Sequence, residues 1–136
     1  MKALDTNLLI RFLVKDDKKQ AEAVYNIFKR AETNRESLFI PLLVVLEVVW
    51  VLESVYETTR DEILDSLEAL LLMPILTFEA QPVLRYFTAA ARESKVGLSD
   101  LLIASSARLS GCDYVLTFDR AASRSAWFAL VNPDVS

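Results

Sequence analysis

The chain has 136 residues, of which 53% are hydrophobic and 25% are charged, and its net charge is −4. This balance is typical of a globular domain with a sizeable core and excludes an intrinsically disordered chain. The absence of histidine excludes histidine-based acid–base catalysis and histidine-ligated zinc. The acidic balance disfavours a protein that holds nucleic acid through phosphate contacts alone.

Hydrophobic periodicity divides the chain into short strands separated by helices. In chain order it predicts a strand at 2–4, a helix at 16–35, a strand at 38–40, helices at 42–57 and 60–73, a strand at 75–78, helices at 82–95 and 100–110, and strands at 114–117 and 129–131. Thr59 to Glu62 matches a capping box, Pro41 suits a first helical turn, and Ser99 is a predicted N-cap. Gly97 and Gly111 are predicted to end the helices before them.

Strands separated by helices indicate crossover connections and a parallel sheet. The strands are short and uniformly hydrophobic, as expected when helices cover both faces of a sheet. We therefore predict a single α/β domain over residues 1–136, a three-layer α/β/α sandwich. Its central, mainly parallel sheet would contain about five short strands.

Membrane and secretion signals are not found in the sequence. The longest hydrophobic stretch, Leu42 to Leu52, is shorter than a membrane span and contains Glu47. The N-terminal residues follow a strand pattern and lack a signal-peptide core. The one cysteine, Cys112, has no partner for an internal disulfide, whereas small secreted domains commonly depend on disulfides. We expect a cytoplasmic protein with no membrane association.

Four acidic residues lie where the predicted topology can bring them together. Ligands of open parallel sheets bind beyond the carboxyl ends of the strands. Asp5 follows the first strand and Asp119 follows the fourth. Glu47 lies in the second turn of the helix after the second strand, and Asp100 begins a helix. We therefore predict that these four acids form one pocket.

Each acid also has a purely structural interpretation. Asp5 could cap a turn, Asp100 could be a favourable charge at a helix N-terminus, and Asp119 could lie in a solvated loop. Glu47 differs because five hydrophobic residues precede it and five follow it. Its helix is predicted to be buried, and a buried carboxylate requires a cation or another partner. A metal ion would meet this requirement, and a salt bridge to Arg11 is the alternative.

Carboxylates without histidine or thiolate partners suit Mg²⁺, or Mn²⁺ as a substitute, rather than zinc. Mg²⁺ usually keeps several waters, so some of the acids would contact those waters instead of the ion. The predicted chemistry is hydrolysis of a phosphodiester with one or two ions. Asn7 and Thr117 are predicted to hydrogen-bond a metal water or a phosphate oxygen.

At these four places the sequence resembles the PIN-domain family. Residues 2–10 (KALDTNLLI) resemble the opening strand and Asp-Thr-Asn loop of PIN domains, and Glu47 resembles their second acid. Residues 98–104 (LSDLLIA) are similar to the helix start that carries the third acid. Residues 116–120 (LTFDR) are similar to the strand end that carries the fourth. The motifs occur in the family's order and span nearly the whole chain.

The length and single-domain form resemble the VapC-type toxins of prokaryotic toxin–antitoxin pairs. The resemblance implies a metal-dependent endoribonuclease that acts on RNA, forms a homodimer and is inhibited by a cognate antitoxin protein. It also implies that Asp5 and Asp100 bind the metal directly. Glu47 and Asp119 would bind it directly or through water. Many relatives carry a further acid where this chain has Gly97, which argues against a five-acid site.

Two alternatives to a nuclease remain open. A PIN-like scaffold would bind a protein or RNA partner without cleavage, and an aspartyl-nucleophile phosphatase would use Asp5. The phosphatase is disfavoured because such enzymes have a second Asp two positions later, where this chain has Asn7.

Trp50 and Val51 could form a dimer surface instead of core. The basic residues that could approach an RNA are Arg11, Lys15, Lys18, Lys19, Arg120 and Arg124.

Overall fold

Six α-helices and five short strands are found in residues 1–134, the part of the chain that the computed structural model describes. In chain order they are β1 (Lys2–Ala3), α1 (Thr6–Val14), α2 (Lys18–Asn34), β2 (Leu38–Ile40), α3 (Leu42–Ser54), α4 (Arg60–Leu71), β3 (Leu76–Phe78), α5 (Gln81–Arg92), α6 (Leu98–Leu109), β4 (Val115–Thr117) and β5 (Phe128–Leu130). A 3₁₀ turn at Ala122–Arg124 lies between β4 and β5. Because the paired strands are all parallel, the predicted α/β class is confirmed.

The chain divides into two compact units, an N-terminal unit (Met1–Gln81) and a C-terminal unit (Pro82–Ser136). The strands hydrogen-bond as a sheet of three, with the order β1-β2-β3, and a sheet of two, β4-β5. The single domain predicted over residues 1–136 includes Val135 and Ser136, which lie outside the described residues. That domain boundary stays a prediction.

The three strands of the N-terminal unit are in register. Lys2 pairs with Leu38, and Leu38 pairs with Leu76. The ladder continues past β1, where the Leu4 N–H donates to the Phe39 carbonyl at 2.8 Å. The carboxyl ends of the strands are therefore level, and the segments that follow them begin at one edge of the sheet.

Helices α1 to α4 complete the N-terminal unit. The Phe12 ring of α1 packs on the Phe28 ring of α2, with ring centroids 4.7 Å apart and an interplanar angle of 41°. Ile40 at the end of β2 and Ile63 of α4 are each 0% exposed. The Thr59 half of the capping box predicted at the start of α4 is confirmed, since the Thr59 hydroxyl oxygen accepts a hydrogen bond from the Glu62 N–H.

In the C-terminal unit, β4 and β5 are joined by the 3₁₀ turn. Ala104 of α6, Ala122 of that turn and Phe128 of β5 form a buried cluster. The Trp127 indole N–H donates to the Tyr86 hydroxyl at 2.9 Å, which fixes the segment before β5 against α5. These contacts hold the β4–β5 connection, which contains Asp119, in a defined conformation.

Several predicted boundaries are wrong. No helix was predicted between the strand at 2–4 and the helix at 16–35, but helix α1 begins at Thr6. Ser99 was predicted to be the N-cap of the following helix and Gly97 the end of the preceding one. Instead α5 ends at Arg92, and Gly97 is the N-cap of α6. The helix begins earlier because Leu98, which is 1% exposed, joins the buried side of α6.

Among the helices of residues 1–134, none combines the length and the hydrophobicity needed to cross a bilayer. Cys112 is exposed and is a free thiol.

Candidate metal-binding residues

Asp5 follows β1 and is the N-cap of α1. Its Oδ1 accepts a hydrogen bond from the Leu8 N–H at 3.0 Å, which satisfies one of the free N–H groups of the first helical turn. Asp5 is exposed, and its Oδ2 makes no hydrogen bond to any described residue. The capping role considered for Asp5 is therefore present, and it occupies one carboxylate oxygen. Asn7, in the same turn, is exposed.

Glu47 is exposed in the second turn of α3, so the predicted burial of its carboxylate is wrong. Helix α3 is hydrophobic along most of its length, but one side of it faces solvent. That exposed side contains Leu43, which is 78% exposed, and Trp50, which is 56% exposed. The buried side of the helix consists of Val45, Val48, Val49 and Leu52. Glu47 therefore needs no partner on grounds of burial.

Thr6 connects the two acids of the N-terminal unit. It is the first residue of α1 and directly follows Asp5. Its hydroxyl donates a hydrogen bond of 2.9 Å to Oε1 of Glu47. This bond fixes α3 to the N-terminal end of α1 and orients one oxygen of the Glu47 carboxylate. Oε2 of Glu47 makes no hydrogen bond within residues 1–134.

Arg11, which we considered as a salt-bridge partner for Glu47, has other partners. Its guanidinium donates to Oδ1 of Asp16 and to the Tyr56 hydroxyl, each at 3.0 Å, and to Oε1 of Gln20 at 2.7 Å. The hydrogen bond with Tyr56 and the charge of Asp16 raise the pKa of Arg11, although burial lowers it. Arg11 is thus a fixed cation that joins α1 to α2 and to the segment after α3.

Asp119 lies in the tight turn after β4. Its Oδ1 accepts hydrogen bonds from the N–H groups of Ala121 at 2.8 Å and Ala122 at 3.3 Å. Thr117 supports the same turn, because its hydroxyl oxygen accepts a hydrogen bond from the Asp119 N–H at 3.0 Å. Asp119 is exposed, and its Oδ2 makes no hydrogen bond to a described residue. This turn therefore fixes one oxygen of the carboxylate.

Asp100 is half-buried in the first turn of α6. A carboxylate at this position interacts favourably with the positive end of the helix dipole. A Cβ atom at residue 97 would lie 3.7 Å from Oδ2 of Asp100. The position where the family pattern has a further acid thus adjoins Asp100, and Gly97 leaves the space beside this carboxylate open.

Asp5, Glu47 and Asp119 share one arrangement, which we call an anchored carboxylate. One oxygen accepts a protein hydrogen bond, and the other makes none among the described residues. The free oxygens are hard ligands and fit Mg²⁺ or Mn²⁺. Within either unit, the described residues contain no group of three or more acids or cysteines arranged to hold an ion. The four-acid pocket stays a prediction.

Two residues that hydrogen-bond to α3, the helix of Glu47, were missed in the sequence. Thr6 lies between Asp5 and Asn7, the two residues of the Asp-Thr-Asn motif that were predicted to act in the site. No spacing rule pairs Thr6 with a residue 41 positions away, as Glu47 is. Glu79 follows β3, and its Oε1 accepts a hydrogen bond from the Leu42 N–H at 3.0 Å. The available signal for Glu79 was its place directly after a strand, as for Asp5.

Comparison with known proteins extends over both units. A family model described as the PIN domain matches residues 2–127, a range that contains all four predicted acids. A VapC ribonuclease of Aquifex aeolicus (strain VF5) is 29% identical to the chain over 133 residues. This alignment covers 98% of the chain and 97% of the Aquifex protein.

Proposed function

Because the chain belongs to the PIN-domain family, we propose that it is a Mg²⁺-dependent endoribonuclease, the toxin of a VapC-type toxin–antitoxin pair. The similarity to a VapC ribonuclease along nearly the full length of both chains supports ribonuclease chemistry. The observation that carries the proposal is the set of anchored carboxylates at Asp5, Glu47 and Asp119. Each presents one oxygen that protein groups leave available to a metal ion or its waters.

In this proposal Asp5 and Asp100 bind the ion directly, and Glu47 and Asp119 bind it directly or through water. PIN-domain VapC nucleases generally depend on a divalent metal, and Mg²⁺ or Mn²⁺ suits a set of carboxylates. Such an ion supplies Lewis-acid chemistry, in which a water is made more acidic and charge on the phosphoryl oxygens is neutralised.

The protein's own contribution is to hold its carboxylates in fixed directions. The cap of α1 fixes Asp5, the Thr6 hydroxyl fixes Glu47, and the turn after β4 fixes Asp119. Fixed ligands lower the entropic cost of assembling the reacting groups. In the proposed site, Asn7 and the Thr117 hydroxyl hydrogen-bond a metal water or a phosphate oxygen.

Metal removal tests the proposal directly. Purified protein, free of inhibitor, should cleave a single-stranded RNA in Mg²⁺ or Mn²⁺, lose cleavage in excess EDTA, and regain it when Mg²⁺ is restored. Gel analysis of labelled RNA gives the rates, and an Asp5→Asn protein purified in parallel controls for contaminating ribonuclease. Cleavage that persists in EDTA would contradict the proposal. RNA binding without cleavage in either metal would indicate the scaffold alternative.

Thr6→Val removes the hydroxyl that orients Glu47 but preserves the shape of the side chain. We expect cleavage at subsaturating Mg²⁺ to fall about tenfold, because a hydrogen bond to a charged group contributes about 1.5–3 kcal/mol and about 1.4 kcal/mol corresponds to tenfold. Thr6→Ser keeps the donor and should restore most of the rate. Equal losses in the two variants, measured as kcat and as half-activating Mg²⁺, would contradict the orienting role.

The proposal includes three partners: an RNA substrate, a cognate antitoxin protein and a second copy of the chain. RNA and antitoxin would be met in the cytoplasm. The exposed side of α3, with Leu43 and Trp50 on either side of Glu47, supports a homodimer because exposed hydrophobic residues of this size favour contact with a protein. Sedimentation velocity at several concentrations tests this point, and a monomer throughout would overturn the dimer.

A further inference from the structure

Glu79 makes two hydrogen bonds on either side of Pro41. Its backbone N–H donates to the Ile40 carbonyl at 3.0 Å, which extends the β2–β3 ladder past Phe78. Its side-chain Oε1 accepts from the Leu42 N–H at 3.0 Å. The residue that follows β3 thus holds both the end of β2 and the first residue of α3.

The start of α3 lacks the usual means of capping itself. Its N-cap is Pro41, which forms no side-chain capping bond. The Pro41 carbonyl accepts from the N–H groups of Val44 at 3.1 Å and Val45 at 3.3 Å, but the Leu42 N–H points out of the helix. The first N–H groups of a helix have no acceptor within the helix itself. Glu79, 37 residues further along the chain, provides the acceptor for Leu42.

The register of the sheet explains why this contact is possible. Ile40 pairs with Phe78, so the next residues along the two strands, Pro41 and Glu79, lie side by side at the carboxyl edge. A negative side chain at that position also interacts favourably with the N-terminal end of the α3 dipole. Glu79 is therefore placed to fix the direction in which α3 leaves the sheet.

We propose that Glu79 is a positioning residue for Glu47. From the end of the neighbouring strand it caps α3, the helix on which Glu47 lies. The inference rests on the proposed function, since Glu47 is a member of the proposed metal site. Glu47 lies in the second turn of α3, and its other constraint is the hydroxyl of Thr6 on α1. When the first turn of α3 frays, the distance from Thr6 to Glu47 becomes variable and the acid loses its fixed direction.

The test compares Glu79→Ala, Glu79→Gln and a matched control, Thr59→Ala. The control also removes a helix cap, that of α4, where the Thr59 hydroxyl accepts from the Glu62 N–H at 3.3 Å. Glu79→Gln keeps an acceptor oxygen and removes the charge. For each protein we would measure the melting temperature, the deuterium exchange of residues 42–47 without metal, RNA cleavage, and the Mg²⁺ concentration for half-maximal cleavage.

In Glu79→Ala, the amide hydrogens at the start of α3 should exchange faster. RNA cleavage at subsaturating Mg²⁺ should be about five- to tenfold slower, which corresponds to the free energy lost with one helix cap. Glu79→Gln should retain most of the activity and of the protection. Thr59→Ala should lower the melting temperature by a similar amount but leave the Mg²⁺ requirement unchanged.

Three outcomes would overturn the inference. Unchanged exchange and cleavage in Glu79→Ala would show that the cap is dispensable. Equal loss in Glu79→Gln and Glu79→Ala would show that the charge itself is needed, as for a metal ligand. An equal change of Mg²⁺ requirement in Thr59→Ala would show a general effect of lost stability. If the wild-type protein does not cleave RNA, the nuclease proposal fails separately, and the deuterium exchange of residues 42–47 decides whether Glu79 caps α3.

Discussion

We expect Asp5→Asn to lower the rate of RNA cleavage by at least about a hundredfold, equivalent to about 2.7 kcal/mol of transition-state stabilisation, and to leave the fold intact. The asparagine Oδ1 can still accept the hydrogen bond from the Leu8 N–H, and Asn and Asp are about equally good N-caps. The loss concerns the other side of the group, where a charged oxygen is replaced by an amide NH₂ group that cannot bind a cation. Cleavage assays in saturating Mg²⁺ and thermal melts measure the two effects separately.

Asp17→Asn is the matched control for this experiment. Asp17 caps α2 as Asp5 caps α1, with its Oδ1 accepting from the Gln20 N–H at 3.0 Å. The same substitution therefore perturbs the same kind of cap, away from the proposed metal ligands, and should leave cleavage within about twofold, since surface substitutions usually change stability by less than about 0.5 kcal/mol. Wild-type cleavage by Asp5→Asn, or equal losses in the two variants, would contradict a role of Asp5 in metal binding.

Glu47→Gln should also reduce cleavage by about a hundredfold or more, while the free energy of unfolding changes by less than about 0.5 kcal/mol. The second expectation follows from the exposure of Glu47 and from the amide oxygen, which can still accept from the Thr6 hydroxyl. Urea unfolding curves and single-turnover cleavage measure the two quantities. A clear gain in stability would mean that the carboxylate carries a desolvation cost, as first expected from its hydrophobic neighbours.

Glu53→Gln gives the comparison on the same helix. Glu53 is exposed in the last turn of α3, so the substitution removes the same charge at the far end of the helix from Pro41. We expect unchanged cleavage and a similar small effect on stability. If Glu53→Gln and Glu47→Gln lost activity equally, the negative charge of α3 would matter in general, and Glu47 would have no particular role.

The α/β class could be predicted because hydrophobic runs report burial. Residues 38–40 form a strand at the predicted positions, since Leu38 and Ile40 are buried in the sheet. Helix α1 was missed because the Asp-Thr-Asn segment was interpreted as a loop. An N-cap followed by Leu9, Ile10 and Leu13 at helical spacing was the available signal. Ser99 was wrong as a cap because a good capping residue cannot outweigh the burial of Leu98.

The motifs indicated candidate members of a site, but not the local environment of each side chain. The order of the motifs indicated Asp5, Glu47, Asp100 and Asp119 as site members, which stays a prediction, and all four lie within the residues that the family model matches. Burial of Glu47 was inferred from its neighbours along the chain, but a helix that is hydrophobic on most sides can still expose one side to solvent. The hydrogen bonds of Thr6 and Glu79 to α3 join residues that are 41 and 37 positions apart in the chain. Such pairs can be recognised only when the register of the strands is known.

If the proposed metal site forms, the anchored carboxylates have a consequence for which cations it would bind. A carboxylate oxygen that already accepts from an N–H or hydroxyl donor has one lone pair fewer for an ion, so chelation by both oxygens would have to share that oxygen with the hydrogen bond. Ca²⁺ binds six to eight oxygen ligands and commonly uses both oxygens of a carboxylate. Mg²⁺ binds six ligands at about 2.0–2.1 Å and commonly uses one oxygen from each carboxylate. In the proposed site, the N–H groups bound to Asp5 and Asp119 and the Thr6 hydroxyl bound to Glu47 would therefore favour the smaller ion.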